Sequence, residues 1–239
     1  MTGRLYALGV GPGASDLITV RAARLLATLD ILYAPAGRQG GDSLALSIVR
    51  EYLSPATAIR TRHFSMRAEN DEKEAVWNEM AQQLTADIAD GKRVGFITLG
   101  DAMLFSTWVF LLARIGPQPW LEIVPGVTSF AAIASRAAFP LAMEKQSLAV
   151  MSCTAPQAEL EQALLTHDCV VLMKVYGRFA AVHSLLARLN LFEHALLMSD
   201  ASLPGEQCWR RLDQVDEDQA LPYFSTILVN RQWRAGGVP

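Results

Sequence analysis

Two kinds of hydrophobic pattern take turns along the first half of the chain. Short unbroken apolar runs, at 5–8 (L-Y-A-L), 31–34 (I-L-Y-A), 94–99 (V-G-F-I-T-L) and 121–124 (L-E-I-V), read as strands covered on both faces. Between them, apolar residues recur at helical spacing. Ile18, Ala22, Leu25, Leu26 and Leu29 share one helical face, with Ser15 or Asp16 as the expected cap. Asp42 or Ser43 caps a second helix running through Tyr52, and a short extended piece follows at 58–62. The acidic opening E-N-D-E-K-E starts a helix from about Asp71 to Asp90, because early carboxylates suit the helix dipole, and Gly91 stops it. Further helices are expected at 105–115 and 128–138. Strand and helix therefore alternate, which implies a parallel sheet with helices on both faces.

Around 139–146 the pattern loosens, and the expected domain boundary falls there, giving domains 1–142 and 143–239. Beyond it, strands are expected at 147–152, 169–175, 195–199, 209–212 and 224–230, with helices only at 157–165 and 179–189. This half reads as a mixed sheet. The fold class is α/β, with two α/β domains of mainly parallel and mixed sheets and an inter-domain cleft.

Composition removes several alternatives. With 51% hydrophobic and 19% charged residues over 239 positions, the chain is globular and not disordered. A net charge of -3 leaves no electrostatic footprint for nucleic acid or an anionic membrane. No stretch reaches the roughly 18 apolar residues of a spanning helix. The start goes directly into a strand, which argues against a signal peptide. Cys153, Cys169 and Cys208 are odd in number and lack C-x-x-C spacing, so reduced thiols and a cytoplasmic setting are expected. His63, His167, His183 and His194 show no metal-ligand spacing, and no metal site is expected.

Candidate chemistry gathers where strands end. The turn L-G-V-G-P-G-A-S-D (8–16) carries Gly9, Gly11 and Gly13 around Pro12. It satisfies the permissive dinucleotide pattern G-x-G-x-x-A, yet Pro12 removes a backbone donor and Asp30 precedes the second strand instead of closing it. Nicotinamide binding is therefore disfavoured. A second strand-end segment, T-L-G-D-A-M-L-F-S-T (98–107), sets Asp101 just past a buried run, to cap a helix or to accept from a ligand. A third, V-P-G-V-T-S-F-A-A (124–132), puts Thr128 and Ser129 at a helix start, where capping explains either hydroxyl. Three loops at strand C-termini of one sheet would converge on one crevice.

In their order and spacing, G-V-G-P-G-A-S-D-L-I-T, L-G-D-A-M-L-F-S and P-G-V-T-S-F-A-A resemble the tetrapyrrole methylases of cobalamin and sirohaem synthesis. Y-A-P-A-G-R, V-V-L-M-K-V-Y-G-R, L-P-G-E-Q-C-W and P-Y-F-S-T-I-L-V-N are similar to the branch that methylates C-20 of precorrin-2 or cobalt-factor II. One departure is Ala102, where the family loop usually reads G-D-P.

The resemblance implies a homodimer that binds S-adenosylmethionine and releases S-adenosylhomocysteine. It implies cofactor contacts from Pro12, Leu99, Gly100, Asp101, Leu104, Thr128 and Ser129. In the second domain it implies Met173 or Lys174, and Thr226. The tetrapyrrole it implies as substrate bears eight carboxylates, so Arg38, Arg62, His63, Lys174 and Arg178 are substrate-binding candidates. Tyr223 is the candidate catalytic group, its hydroxyl polarising the macrocycle near C-20. Methylation of a different ring carbon, or a non-catalytic tetrapyrrole carrier, are the competing expectations.

Overall fold

The computed structural model describes residues 3–36, 43–63 and 70–236, and divides into two units, Met1–Thr128 and Ser129–Pro239. In the first, strands β1 (Arg4–Gly9), β2 (Ile31–Ala36), β3 (Ala58–His63), β4 (Arg93–Thr98) and β5 (Leu121–Val124) form a sheet of order β3-β2-β4-β1-β5. Every pairing in it is parallel.

Successive side chains leave a strand on opposite faces, and both faces here are covered. Leu5, Ala7, Tyr33 and Phe96 pack with Met80, Leu84 and Ile88 of helix α3 (Asn70–Ala89) and with Trp108 and Leu111 of α4 (Trp108–Ile115). Tyr6, Leu8, Leu32 and Ile97 pack against Ala22 and Leu26 of α1 (Val20–Leu26) and Leu46 and Val49 of α2 (Leu44–Val49). Tyr33 also carries a polar knot. Its hydroxyl donates to Asp87 Oδ2 at 2.6 Å, and Arg60 Nη1 donates both to that hydroxyl and to Asp87.

Two caps were open in the sequence. Ser43 caps α2, its hydroxyl accepting from Leu46 N–H. α1 is capped by neither Ser15 nor Asp16. Those residues form a single 3-10 turn (Ser15–Leu17), and Thr19 accepts from Ala22 N–H instead.

The second unit begins earlier than residue 143. Helix α5 (Ser129–Ala137) buries Ile133 and Ala137, followed by Phe139, against Val171, Leu196, Met198 and Leu228. This hydrophobic face assigns α5 to the second unit. The sheet there runs β6-β7-β10-β8-β9, from strands β6 (Leu148–Ser152), β7 (Cys169–Met173), β8 (Ala195–Ser199), β9 (Gln207–Trp209) and β10 (Ser225–Asn230). β6 and β7 are parallel and the other pairs antiparallel. Helices α6 (Gln157–Thr166) and α7 (Phe179–Arg188) cover its other face through Leu160, Leu164, Val182, Leu185 and Leu186. The expected strand at 209–212 is displaced to β9, and Leu212 opens a 3-10 turn.

Candidate active site

In the first sheet β1 lies between β4 and β5, so the bends leaving these three strands are neighbours. They touch backbone to backbone. A Cβ placed on Gly9 would lie 2.7 Å from both Gly100 O and Gly126 N, and one on Gly126 only 2.1 Å from Gly100 O. Gly11 and Gly100, both at positive φ (82° and 66°), exchange two hydrogen bonds: Gly11 N–H donates to Gly100 O at 3.2 Å, and Gly100 N–H to Gly11 O at 2.7 Å.

Asp101 closes the arrangement. Its Oδ1 accepts from Met103 N–H and its Oδ2 from Gly126 N–H, each at 2.8 Å. One carboxylate thus fixes its own turn and ties the second bend to the third. Ala102, standing where the family loop carries proline, is fully buried, and its carbonyl accepts from the Ser106 hydroxyl at 2.5 Å. Hydrogen bonds pin this loop without a proline ring.

Pro12 is buried in the first bend, while Leu99, Gly100, Asp101 and Leu104 are half-buried along the second. The structure therefore brings these five onto adjacent bends. Thr128 ends the first unit; Ser129 opens α5 in the second. Above Gly100 the nearest atom to a built Cβ is Val127 O at 3.9 Å, leaving its Cα face open to a ligand.

The second unit carries a different kind of surface at its own strand ends. β7 ends at Met173 because Lys174 turns the chain with φ 61°, which also shortens the strand expected to reach 175. Thr226, buried, stands directly across from Met173 in the register of β10 and β7. Beside this pair of strand ends lie Tyr176, in the 3-10 turn Val175–Gly177, and Tyr223 and Phe224, just before β10. The Tyr176 and Tyr223 ring centroids are 4.8 Å apart, and Phe224 meets Tyr223 edge-on at 5.0 Å. Burial, with Tyr176 adding to it, pushes the Tyr223 phenol above its ordinary value, so at neutral pH its hydroxyl is a donor and not a base. Arg178 is half-buried close by. Burial raises the neighbouring Cys153 thiol to about 12 against the opposing pull of Arg178, and this cysteine remains a thiol.

The remaining candidates are more dispersed. Arg62 on β3 donates from Nη2 to Glu79 and Gln83 of α3 at 3.1 and 3.0 Å, so one edge of its guanidinium is tied to that helix while the side chain stays partly exposed. His63, at the end of β3, has a buried Nδ1 with no hydrogen-bond partner among the described residues. Arg38 lies outside the described residues. Asp30 spends a carboxylate oxygen on Arg93 N–H at 2.7 Å, at the start of β2, where it cannot serve a ribose at the strand's far end. Among the described residues no group of three His, Cys, Asp or Glu could hold a metal ion, and no helix is long and apolar enough to cross a membrane.

Comparison with known proteins gives the chain its family. A family model for Tetrapyrrole (Corrin/Porphyrin) Methylases matches residues 4–216. The chain is 71% identical over 233 residues to the cobalt-precorrin-2 C(20)-methyltransferase of Salmonella typhimurium, covering 98% of each chain. It is 27% identical to the precorrin-2 C(20)-methyltransferase of a Sinorhizobium species, covering 95% of each. Among solved structures, a cobalt precorrin-4 methyltransferase superposes with a TM-score of 0.71 at 23% identity, over 95% of this chain and 94% of that one. The uroporphyrin-III C-methyl transferase of Thermus thermophilus complexed with S-adenyl homocysteine superposes at 0.65 and 22% identity, over 95% and 97%.

Proposed function

The chain belongs to the tetrapyrrole (corrin/porphyrin) methylases, and from that premise we propose that it transfers a methyl group from S-adenosylmethionine to C-20 of cobalt-precorrin-2, or of its metal-free form. The observation that carries this reading is 71% identity, across nearly the full length of both chains, to a protein named for that reaction. That relative is named for the cobalt-bearing substrate, which favours it; relatives at 26–27% are named for either form and do not decide between them. The cobalt belongs to the substrate.

A sulfonium donor brings an already activated methyl group. When bound, the donor would lose its C–S bond as the C–C bond forms, its sulfur leaving as a neutral thioether, and C-20 would then release its proton to water to restore conjugation. The protein's part is alignment, which is worth about 7–11 kcal/mol when the reacting atoms are held in line. Pro12, Leu99, Gly100, Asp101, Leu104 and Thr128 are proposed to hold the donor on the first unit, largely through backbone groups. Ser129, Met173 or Lys174, and Thr226 are proposed to hold it on the second. Arg62, His63, Lys174 and Arg178, with Arg38, are proposed to meet substrate carboxylates. Tyr223, held protonated, donates toward the macrocycle near C-20. We further propose a cytoplasmic homodimer.

The test is methyl transfer by the purified protein, offered cobalt-precorrin-2 and precorrin-2 in separate reactions with S-adenosylmethionine. A product one methyl heavier, with the new carbon at C-20 by NMR, is the expected result. A methyl on another ring carbon overturns the regiochemistry. No turnover and no S-adenosylhomocysteine binding by calorimetry overturns the enzyme reading in favour of a carrier.

A further inference from the structure

The ring cluster at the β7 and β10 strand ends lies outside the buried core of its own unit. Tyr176, Tyr223 and Phe224 are 44%, 52% and 40% exposed, although each is in ring contact with another of the three. Three large rings left in water at a strand end form the kind of contiguous patch that marks a binding surface. Two of the rings bear hydroxyls, so the patch is flat and apolar with a polar fringe, as suits a ligand with a wet edge. Lys174 and Arg178, both half-buried, stand two residues to either side of Tyr176 in sequence.

We propose that Tyr176, Tyr223 and Phe224 form a stacking wall for the flat face of the tetrapyrrole, with Tyr176 setting the tilt of the Tyr223 ring. This inference rests on the proposed function, since it takes the donor to lie at Met173 and Thr226. In-line transfer requires the acceptor carbon about 3–3.5 Å from the methyl group. The acceptor must then lie within a macrocycle's width of that strand end, where the wall stands. A row of three rings is wider than a purine and suits a macrocycle better than the donor's adenine. The carboxylates on the macrocycle's rim meet the cationic flanks of Lys174 and Arg178. Tyr176 acts in part through its neighbour, as a positioning residue whose loss lets the Tyr223 ring turn.

The test uses the full-length enzyme with cobalt-precorrin-2 and S-adenosylhomocysteine as separate probes. Tyr176→Ala is expected to raise KM for the tetrapyrrole tenfold or more while S-adenosylhomocysteine affinity stays within twofold. Tyr176→Phe, which keeps the ring, is expected to restore most of the lost substrate affinity. Should Tyr176→Ala fail to fold, Tyr176→Leu retains bulk without a ring and carries the same expectation. An unchanged tetrapyrrole KM overturns the wall. So does a matching fall in S-adenosylhomocysteine affinity, which would put the rings on adenine, or a change of mass in sedimentation, which would put them against a second copy of the chain. Wild-type protein that neither binds S-adenosylhomocysteine nor methylates C-20 defeats the underlying reading instead, and the two failures are separable.

Discussion

The two strand-end surfaces are built on opposite plans. In the first unit the bends after β1, β4 and β5 are made of main chain pressed on main chain, with Gly9 and Gly126 packed so closely that no Cβ fits. In the second unit the ends of β7 and β10 present side chains, three exposed aromatic rings next in the chain to a Met173–Thr226 pair. A backbone-built surface has a fixed shape and tolerates no substitution at its contacts. A side-chain surface can be retuned one residue at a time. The contrast suits a division of labour in which the invariant donor is held by backbone and the acceptor is selected by side chains.

The contrast is broken most directly at Gly126. Gly126→Ala drives a methyl group to 2.1 Å from Gly100 O, a contact that only backbone movement relieves. S-adenosylhomocysteine affinity measured by calorimetry should fall at least a hundredfold, which is about 3 kcal/mol. Retained affinity would mean that the bends are not what holds the donor. Asp101→Asn is milder. The amide keeps one acceptor and turns a donor toward an N–H, either that of Met103 or that of Gly126. Losing a hydrogen bond to a charged acceptor costs about 1.5–3 kcal/mol, so a ten- to hundredfold loss of donor affinity is expected. A melting temperature that falls while donor affinity holds would confine Asp101 to folding.

Legibility in the sequence divides along the same line. The bends were readable because close backbone contact and positive φ demand glycine, and glycine in a strand-end motif is visible in the letters themselves. That Asp101 would staple two bends was not readable, since capping and ligand binding call for the same residue type. The parallel pairing of the first sheet followed from strand–helix alternation, though its strand order did not. The start of the second unit did not, because α5 carries small apolar residues that suit either sheet, and only packing against Val171 and Leu228 assigns it. Tyr176 and Phe224 were missed for a similar reason. An aromatic residue beside a strand reads as core, and its exposure appears only in three dimensions.

The rigidity of the first unit extends beyond its bends, to the knot of Tyr33, Asp87 and Arg60. Burial, with Asp87 second, raises the Tyr33 phenol from 10.0 to about 12. A phenol held protonated by the fold contributes stability that is whole below pH 10, where neither state ionises. Above that the unfolded chain ionises first, and the contribution drains away as pH rises toward 12. The stability difference between wild type and Tyr33→Phe, from urea unfolding, should therefore shrink over this window by about 2 kcal/mol. A difference that stays constant with pH would show the hydroxyl to be no part of the brace.

The finest division lies within one side chain. In the proposed roles Tyr223 offers its ring to the wall and its hydroxyl to the substrate, and Tyr223→Phe removes only the hydroxyl. Because burial keeps the phenol protonated, its proposed role is donation, and the wild-type kcat should show no ionisation from this group across pH 7–9. Loss of one donated hydrogen bond at the reacting ring should lower kcat about tenfold, equivalent to 1.4 kcal/mol. KM for the tetrapyrrole should barely move, since the ring stays in place. Tyr176→Ala is expected to do the reverse, raising KM and sparing donor affinity. If Tyr223→Phe instead raises KM with kcat intact, the hydroxyl serves ground-state binding alone. The second surface would then be a selector of substrate with no hand in the transfer step.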